Sequence, residues 1–240
     1  MIERAWDWES FIFYIVLTCF ICNSICIYLN DNKNKTSQRQ GLFIIRKSKL
    51  VYFTLFLVLT SVASFRYVGE LIGGTDAIVY VESFYNANEF LFKIENFFIF
   101  KQQEPLMYII QNIIRSFTDN YHIYFFIIYG FMVFCYLYFI AKLKDVSVHY
   151  APYMLIITYY LHTFNTIRSS LAAAFVLLAF VKLIDGKKLG YIFLVLIASL
   201  IHYTALVGLL FYIFYFFSSR KMFNNIKSQL LILLLGYGII

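Results

Sequence analysis

The stretch YHIYFFIIYGFMVFCYLYFIA, from Tyr121 to Ala141, decides the fold. It holds no Asp, Glu, Lys, Arg or Pro, and it stops at Lys142 and Lys144. An apolar run beyond ~18 residues reads as a membrane-spanning helix. Asp119 and Asn120, just ahead of it, are natural N-caps. Similar runs lie on both sides. One covers about Ser10–Leu29 and a second about Leu50–Ser64. A third runs from Pro152 to Phe164 and resumes after Asn165-Thr-Ile-Arg168 as far as Ile184. Leu189–Phe217 is interrupted at His202, and Leu230–Ile240 closes the chain. The reading is an all-α, polytopic membrane helix bundle. Residues 1–240 form one transmembrane domain of about seven spans plus a partial last one.

Composition agrees with the runs. The chain is 62% hydrophobic and 21% aromatic, with mean hydropathy +0.74, where a soluble domain is about 45–50% apolar. The formal net charge of +7 does not point to nucleic acid, because the basic residues flank spans and face anionic lipid there. Cys19, Cys22 and Cys26 share helical spacing inside the first run and read as small apolar side chains, since no second pair or His accompanies them. No Walker, Rossmann or zinc motif is present, and no metal or cofactor is expected.

Charge placement orients the spans. Six Lys and Arg lie in 33–49, two at Lys142 and Lys144, three at Lys182, Lys187 and Lys188, and three at Arg220, Lys221 and Lys227. The positive-inside rule puts these on the cytoplasmic side, with the N-terminus outside. The acidic start MIERAWDWE lacks the basic region of a signal peptide, so the first helix is expected to stay attached. Segment 66–120 then lies outside and carries seven carboxylates against four basic groups. Within it, residues 104–117 pattern as an amphipathic helix at the outer face. Leu106, Ile109, Ile110, Ile113, Ile114 and Phe117 share a stripe, with Gln111, Asn112 and Arg115 elsewhere on the wheel. Pro105 suits the first helical position.

Leu189–Phe217 is too short for two full spans and long for one, at ~1.5 Å per residue. Basic clusters at both ends favour a return to the same side. Two short helices meeting at Ser199–His202 fit, and Tyr150–Ile184 reads the same way. Non-helical backbone at such depth needs protein or a wet cavity around it, so both breaks point to an outward-opening cavity.

The chemistry-bearing residues gather on that side. Arg168 sits between apolar runs, where charge is costly and usually has a partner or ligand. Its planar fork suits phosphate oxygens, and a snorkelling role at a span end is the structural alternative. Asn165 lies three residues earlier, on the same helical face. His202 could donate to a phosphate or relay a proton, or simply cap a helix end. Arg66, the Gly73-Gly74-Thr75-Asp76 turn and Tyr80 offer a cation, a close backbone approach and a carboxylate. Asp76 or Glu104 could take a proton from a hydroxyl; solvated loop charges are the plainer reading.

At these residues the chain resembles the EpsG family of bacterial exopolysaccharide polymerases, related to the Wzy type. The resemblance rests on Arg66, Gly74-Thr75-Asp76 with Tyr80, Glu104-Pro105, Asn165-Thr-Ile-Arg168 and Ala198-Ser-Leu-Ile-His202, in order, over about Arg66–Phe217. Ser169 and Ala77 stand where the family often has Gln and an aromatic residue. The resemblance implies a glycosyltransferase of the bacterial inner membrane. It would join undecaprenyl-pyrophosphate-linked oligosaccharide repeat units on the outer face during exopolysaccharide, capsule or O-antigen synthesis. Asp76, Glu104, Arg168 and His202 would be catalytic; Arg66, Tyr80, Asn165 and Arg168 would bind substrate. A flippase and a chain-length regulator are the protein partners implied. Members continue through further spans, so a C-terminally truncated copy is expected. The rival readings are a flippase of lipid-linked sugars and a non-catalytic subunit of an assembly complex.

Overall fold

The computed structural model describes residues 42–68, 76–88, 105–142 and 159–218, with scattered helical positions within 13–27. Among these residues every regular element is helical: α1 Leu42–Phe65, α2 Ala77–Tyr85, α3 Pro105–Arg115, α4 Tyr121–Lys142, α5 Ile167–Ile184, α6 Lys188–Ile201 and α7 Val207–Ser218. Short 3-10 turns occupy Asn86–Asn88, His162–Phe164 and Tyr203–Leu206. Two helices, α4 and α5, are long and apolar enough to cross a membrane; Tyr52–Phe65, Lys188–Ile201 and Tyr203–Ile213 are shorter apolar helical stretches. Most of the expected first span, Glu104, the Gly73–Thr75 turn and the last apolar run lie outside the described residues.

The strongest sequence expectation holds. α4 begins where Asn120 accepts the His122 N–H on its side-chain oxygen at 2.8 Å, a side-chain N-cap. Asp119, the other candidate cap, instead pairs with Arg115 at 2.5 Å. Lys142 closes α4 beside the carbonyl end of the helix dipole. α1 starts earlier than the apolar run, because Arg46, Lys47 and Lys49 are good helix formers and no breaker follows Gly41.

α4 is the axis of the bundle. α1 packs antiparallel to it, with His122 Nδ1 2.9 Å from the Ser64 carbonyl. Gly130 of α4 faces Phe56 and Thr60 of α1, so the two backbones approach closely. α5 packs on the other side, and Phe131 meets Phe175 with centroids 4.8 Å apart. Lys142 and Asp185 approach at 3.7 Å, so α4 and α5 end together and run parallel. Gly186 (φ 76) then turns the chain, and the Lys187 N–H returns to the Lys182 carbonyl at 2.8 Å. α6 comes back along α5, which brings its end to the level where α5 begins. α3 lies against α6, and α2 against α3.

α6 and α7 meet at Gly208. The Tyr191 hydroxyl donates to the Gly208 carbonyl at 2.5 Å, and an added Cβ would stand 3.2 Å and 3.3 Å from the two Val195 methyls. Overpacking of this kind costs about 1–3 kcal/mol. Gly208→Val is therefore expected to lower the melting temperature in detergent by several degrees, measured by tyrosine fluorescence. An unchanged transition would mean that α6 and α7 separate freely.

The amphipathic helix forms, but its buried seam differs from the expected stripe. Met107, Gln111 and Ile114 are buried, while Ile113 is 54% and Phe117 84% exposed. A polar network has rotated the helix. Gln111 accepts from the Ser83 hydroxyl at 3.0 Å and donates to the Tyr124 hydroxyl at 3.2 Å. A buried amide needs such partners, and only Gln111 can reach both α2 and α4. Gln111→Leu removes the amide that bonds the buried Tyr124 hydroxyl and the half-buried Ser83 hydroxyl and is expected to cost about 1–3 kcal/mol, read as a lower detergent melting temperature. Stability equal to wild type would show that the network holds nothing together.

Candidate functional site

The two expected breaks are present, and each has a physical cause. At the first, Tyr159–Phe164 winds through irregular helical turns, and Thr166 adopts φ −119, ψ 61 before α5 starts at Ile167. Asn165 and Arg168 thus stand on opposite sides of a break. They do not share a helical face, which corrects the continuous-helix expectation. The polar run Asn165-Thr166 offers side-chain hydrogen bonds that compete with the helix ladder. Thr166 Oγ1 donates to the His162 carbonyl at 3.1 Å and lies 3.1 Å from the Ser170 hydroxyl. At the second break, His202 is extended (φ −156, ψ 120) between α6 and the Tyr203–Leu206 turn. Its N–H reaches the Ala198 carbonyl at 2.9 Å, and its carbonyl accepts the Ala205 N–H at 3.0 Å.

The first break is held at depth by side chains from α1 and α4. Arg66, just past α1, donates through Nη2 to the Tyr129 hydroxyl at 2.8 Å and to the Phe164 carbonyl at 3.2 Å, and through Nη1 to the Ala63 carbonyl. Its guanidinium lies 4.5–5.2 Å from the ring centroids of Phe125, Tyr129 and Phe164. The Tyr129 hydroxyl in turn donates to the Thr163 carbonyl at 3.1 Å, and the Tyr160 hydroxyl to the Leu59 carbonyl at 2.6 Å. Tyr129 is two turns into α4, about 12 Å along its axis at ~1.5 Å per residue. The break therefore sits well below the start of α4, and its carbonyls find protein donors, as irregular backbone at that level requires.

Arg168 is the second residue of α5. Its Nε lies 3.5 Å from the Tyr80 hydroxyl, a long and weak contact, and its guanidinium is 5.8 Å from the centre of the Tyr80 ring. Buried Tyr80 belongs to α2, one turn after Asp76. Asp76 is the exposed N-cap of α2, and its carbonyl accepts the Tyr80 N–H at 3.4 Å. Arg66 is thus bonded to the Tyr129 hydroxyl, and Arg168 approaches the Tyr80 hydroxyl.

Arg168 and His202 each stand close in sequence to the lining of a shared cleft without being part of it. A cleft of about 210 Å³ opens between the first turns of α5 and the start of α7, lined by Ser169, Ala172 and Val176 on one side and Thr204, Gly208 and Phe211 on the other. Ser169 follows Arg168, and Thr204 stands two residues after His202. Both breaks therefore border one largely apolar cleft. Glu104 lies outside the described residues, directly before α3. Among the described residues no group of three His, Cys, Asp or Glu side chains converges in a way that would hold a metal.

The EpsG family model matches residues 49–240, which includes every element from α1 onward apart from the start of α1. The chain belongs to the EpsG family. No curated protein and no solved structure matches it. EpsG membership, with the two long apolar helices, makes this a membrane protein of the polysaccharide-polymerase type. Within this EpsG chain, sequence reasoning passed over Gln111, Tyr124, Tyr129 and Tyr160. The available signal was polar atoms inside apolar helices: an amide in a stripe of isoleucines, and tyrosines recurring in α4. Buried hydroxyls and amides must find partners, so such residues mark where helices are tied together.

Proposed function

We propose that the chain is a polytopic protein of the bacterial inner membrane that lengthens a polysaccharide on the outer face by joining undecaprenyl-pyrophosphate-linked repeat units. The observation that carries this reading is the pair of helix breaks on one apolar cleft. One break bears Arg168 and the other His202, and α1 and α4 hold the first below the level where α4 starts. A substrate with an isoprenoid tail and a polar head needs such a place, open to both lipid and water. Lys142, Lys182, Lys187 and Lys188 lie at the end of α4, α5 and α6 opposite the breaks, and the positive-inside rule, which assigns such a cluster to the cytoplasm, supports an outward-facing cleft.

In the step itself, a hydroxyl of the acceptor sugar attacks the anomeric carbon of the donor. A new glycosidic C–O bond forms, and the bond to the pyrophosphate oxygen breaks. Asp76 or Glu104 takes the hydroxyl proton or orients the acceptor. Arg168 stabilises the negative charge gathering on the departing pyrophosphate, and fixed donors aimed at developing charge are strong contributors to catalysis. The N–H groups at the start of α5 add positive potential on the same side. Tyr80 and Asn165 line the approach, and His202 assists at the opposite wall. Arg66 acts differently from the expectation of direct pyrophosphate contact. Its fork is directed to Tyr129, Phe164 and Ala63, so it sets the position of the break that presents Arg168.

Purified protein in nanodiscs, given defined lipid-linked repeat units, tests the reading. Products one and two units longer are expected on a gel. Movement of the units across the bilayer without elongation would assign a flippase instead, and neither result a non-catalytic subunit.

A further inference from the structure

A second cluster lies outside this machinery, where α1 stops and α4 starts. Tyr67 follows α1 and is 70% exposed; Tyr85 closes α2 and is 43% exposed. Tyr121 opens α4 beside the end of α1, where His122 Nδ1 lies 2.9 Å from the Ser64 carbonyl and the His122 ring 5.8 Å from that of Phe65. Arg115, at the end of α3, places its guanidinium 5.3 Å from the centre of the Tyr85 ring and pairs with Asp119, an exposed carboxylate. Asn86 and Asn120, next in sequence to Tyr85 and Tyr121, are exposed as well. Three separate segments of the chain thus bring tyrosines to one place and surround them with planar polar side chains.

That combination suits one ligand chemistry. A pyranose ring presents a face of C–H bonds that packs on an aromatic ring, and its neighbouring hydroxyls pair with the two ends of a carboxylate, a carboxamide or a guanidinium. Tyrosine adds a polar tip to a large apolar face. Tyr121, Phe125 and Tyr129 follow one face of α4 at four-residue spacing, each ring edge-on to the next at 5.8 Å, and the lower two lie beneath Arg66.

We propose that Tyr67, Tyr85 and Tyr121, with Asp119 and Arg115, form a saccharide platform that holds the sugar part of a glycan chain above the reaction cleft. It rests on the polysaccharide reading and adds where the chain is held. Exposed tyrosines also anchor membrane proteins at the interface. An anchoring belt, however, surrounds a bundle rather than gathering rings from three segments.

The probe is a set of oligosaccharides made by partial hydrolysis of the host strain's own extracellular polysaccharide. Saturation-transfer NMR with the full chain in nanodiscs reads binding without any donor lipid or bond formation. Wild type is expected to pass saturation to sugar ring protons. Tyr67→Ala with Tyr85→Ala weakens binding about tenfold, as loss of two ring contacts would, while Tyr67→Phe with Tyr85→Phe, which keeps the rings, binds within a few-fold of wild type. Tyr67→Ala alone, at an exposed position, covers the case in which the double variant fails to fold, and it is expected to weaken binding about threefold. No saturation transfer to wild type, or equal affinity in the alanine variants, overturns the platform. A change in bilayer partitioning with unchanged glycan affinity also overturns it and assigns the rings to anchoring. Glycan binding without elongation leaves the platform standing and removes the polymerase reading, so the two failures are distinguishable.

Discussion

Arg168→Ala is expected to abolish polymer lengthening while the protein stays at its normal level in the membrane. The structural basis is the position of Arg168 at the head of α5. Its contact with Tyr80 is long at 3.5 Å and weak. Its place at the first turn of α5, beside the cleft shared with the His202 break, puts a fixed positive charge where pyrophosphate would leave. Loss of one pre-aimed donor from such a position lowers turnover by about a thousandfold. Arg168→Lys keeps the charge but loses the planar fork, and it is expected to recover only a small part of the activity. Tyr80→Phe removes only the weak contact and should reduce elongation less than about tenfold. The readout is the ladder of chain lengths on a gel beside an immunoblot of the membrane fraction. A normal ladder from both Arg168 variants would remove this residue from the mechanism.

Much of this arrangement could be read before any coordinates. The long apolar run gave α4 to within a residue, because an uninterrupted hydrophobic segment with an Asn at its head has few alternatives. The breaks at Asn165–Arg168 and His202 were also legible, since polar residues interrupted apolar runs too short to span twice. What escaped was set by contacts between segments distant in sequence. Gln111 appeared to lie off the apolar stripe of α3, yet it is fully buried, because Ser83 and Tyr124 supply partners that periodicity cannot reveal. Asn165 and Arg168 shared a face only on the assumption that the helix ran through. The break at Thr166 depends on Arg66 and Tyr129, far away in the chain, drawing the Thr163 and Phe164 carbonyls out of the helical ladder. α2 was missed for a simpler reason: a nine-residue helix in an acidic loop carries too short a pattern to stand out.

Arg66→Ala should fail in a different way from Arg168→Ala: by loss of the folded protein. The resemblance to the polymerase family assigns Arg66 to substrate, and its motif position alone gives no reason to separate it from Arg168. The hydrogen bonds do. Nη2 bridges the Tyr129 hydroxyl and the Phe164 carbonyl, Nη1 holds the Ala63 carbonyl at the end of α1, and three aromatic rings surround the cation. Alanine removes this donor from the carbonyl of buried Phe164, inside the bundle where a lost hydrogen bond is costly. It also removes the cation–aromatic contacts. Together these losses come to about 3 kcal/mol, enough to lower the detergent melting temperature by several degrees and to deplete the protein from the membrane. Lysine keeps the charge but lacks the planar fork that spans all three acceptors, and it should recover less than half of the lost stability. Activity per folded molecule then discriminates the two arginines. It should stay within about tenfold of wild type for Arg66→Lys, because the cleft chemistry is retained in whatever fraction folds, and it should collapse for Arg168→Lys. If Arg66→Ala instead melts like wild type and makes no polymer, its guanidinium faces the substrate after all, and the clip between α1, α4 and the 162–166 break is incidental.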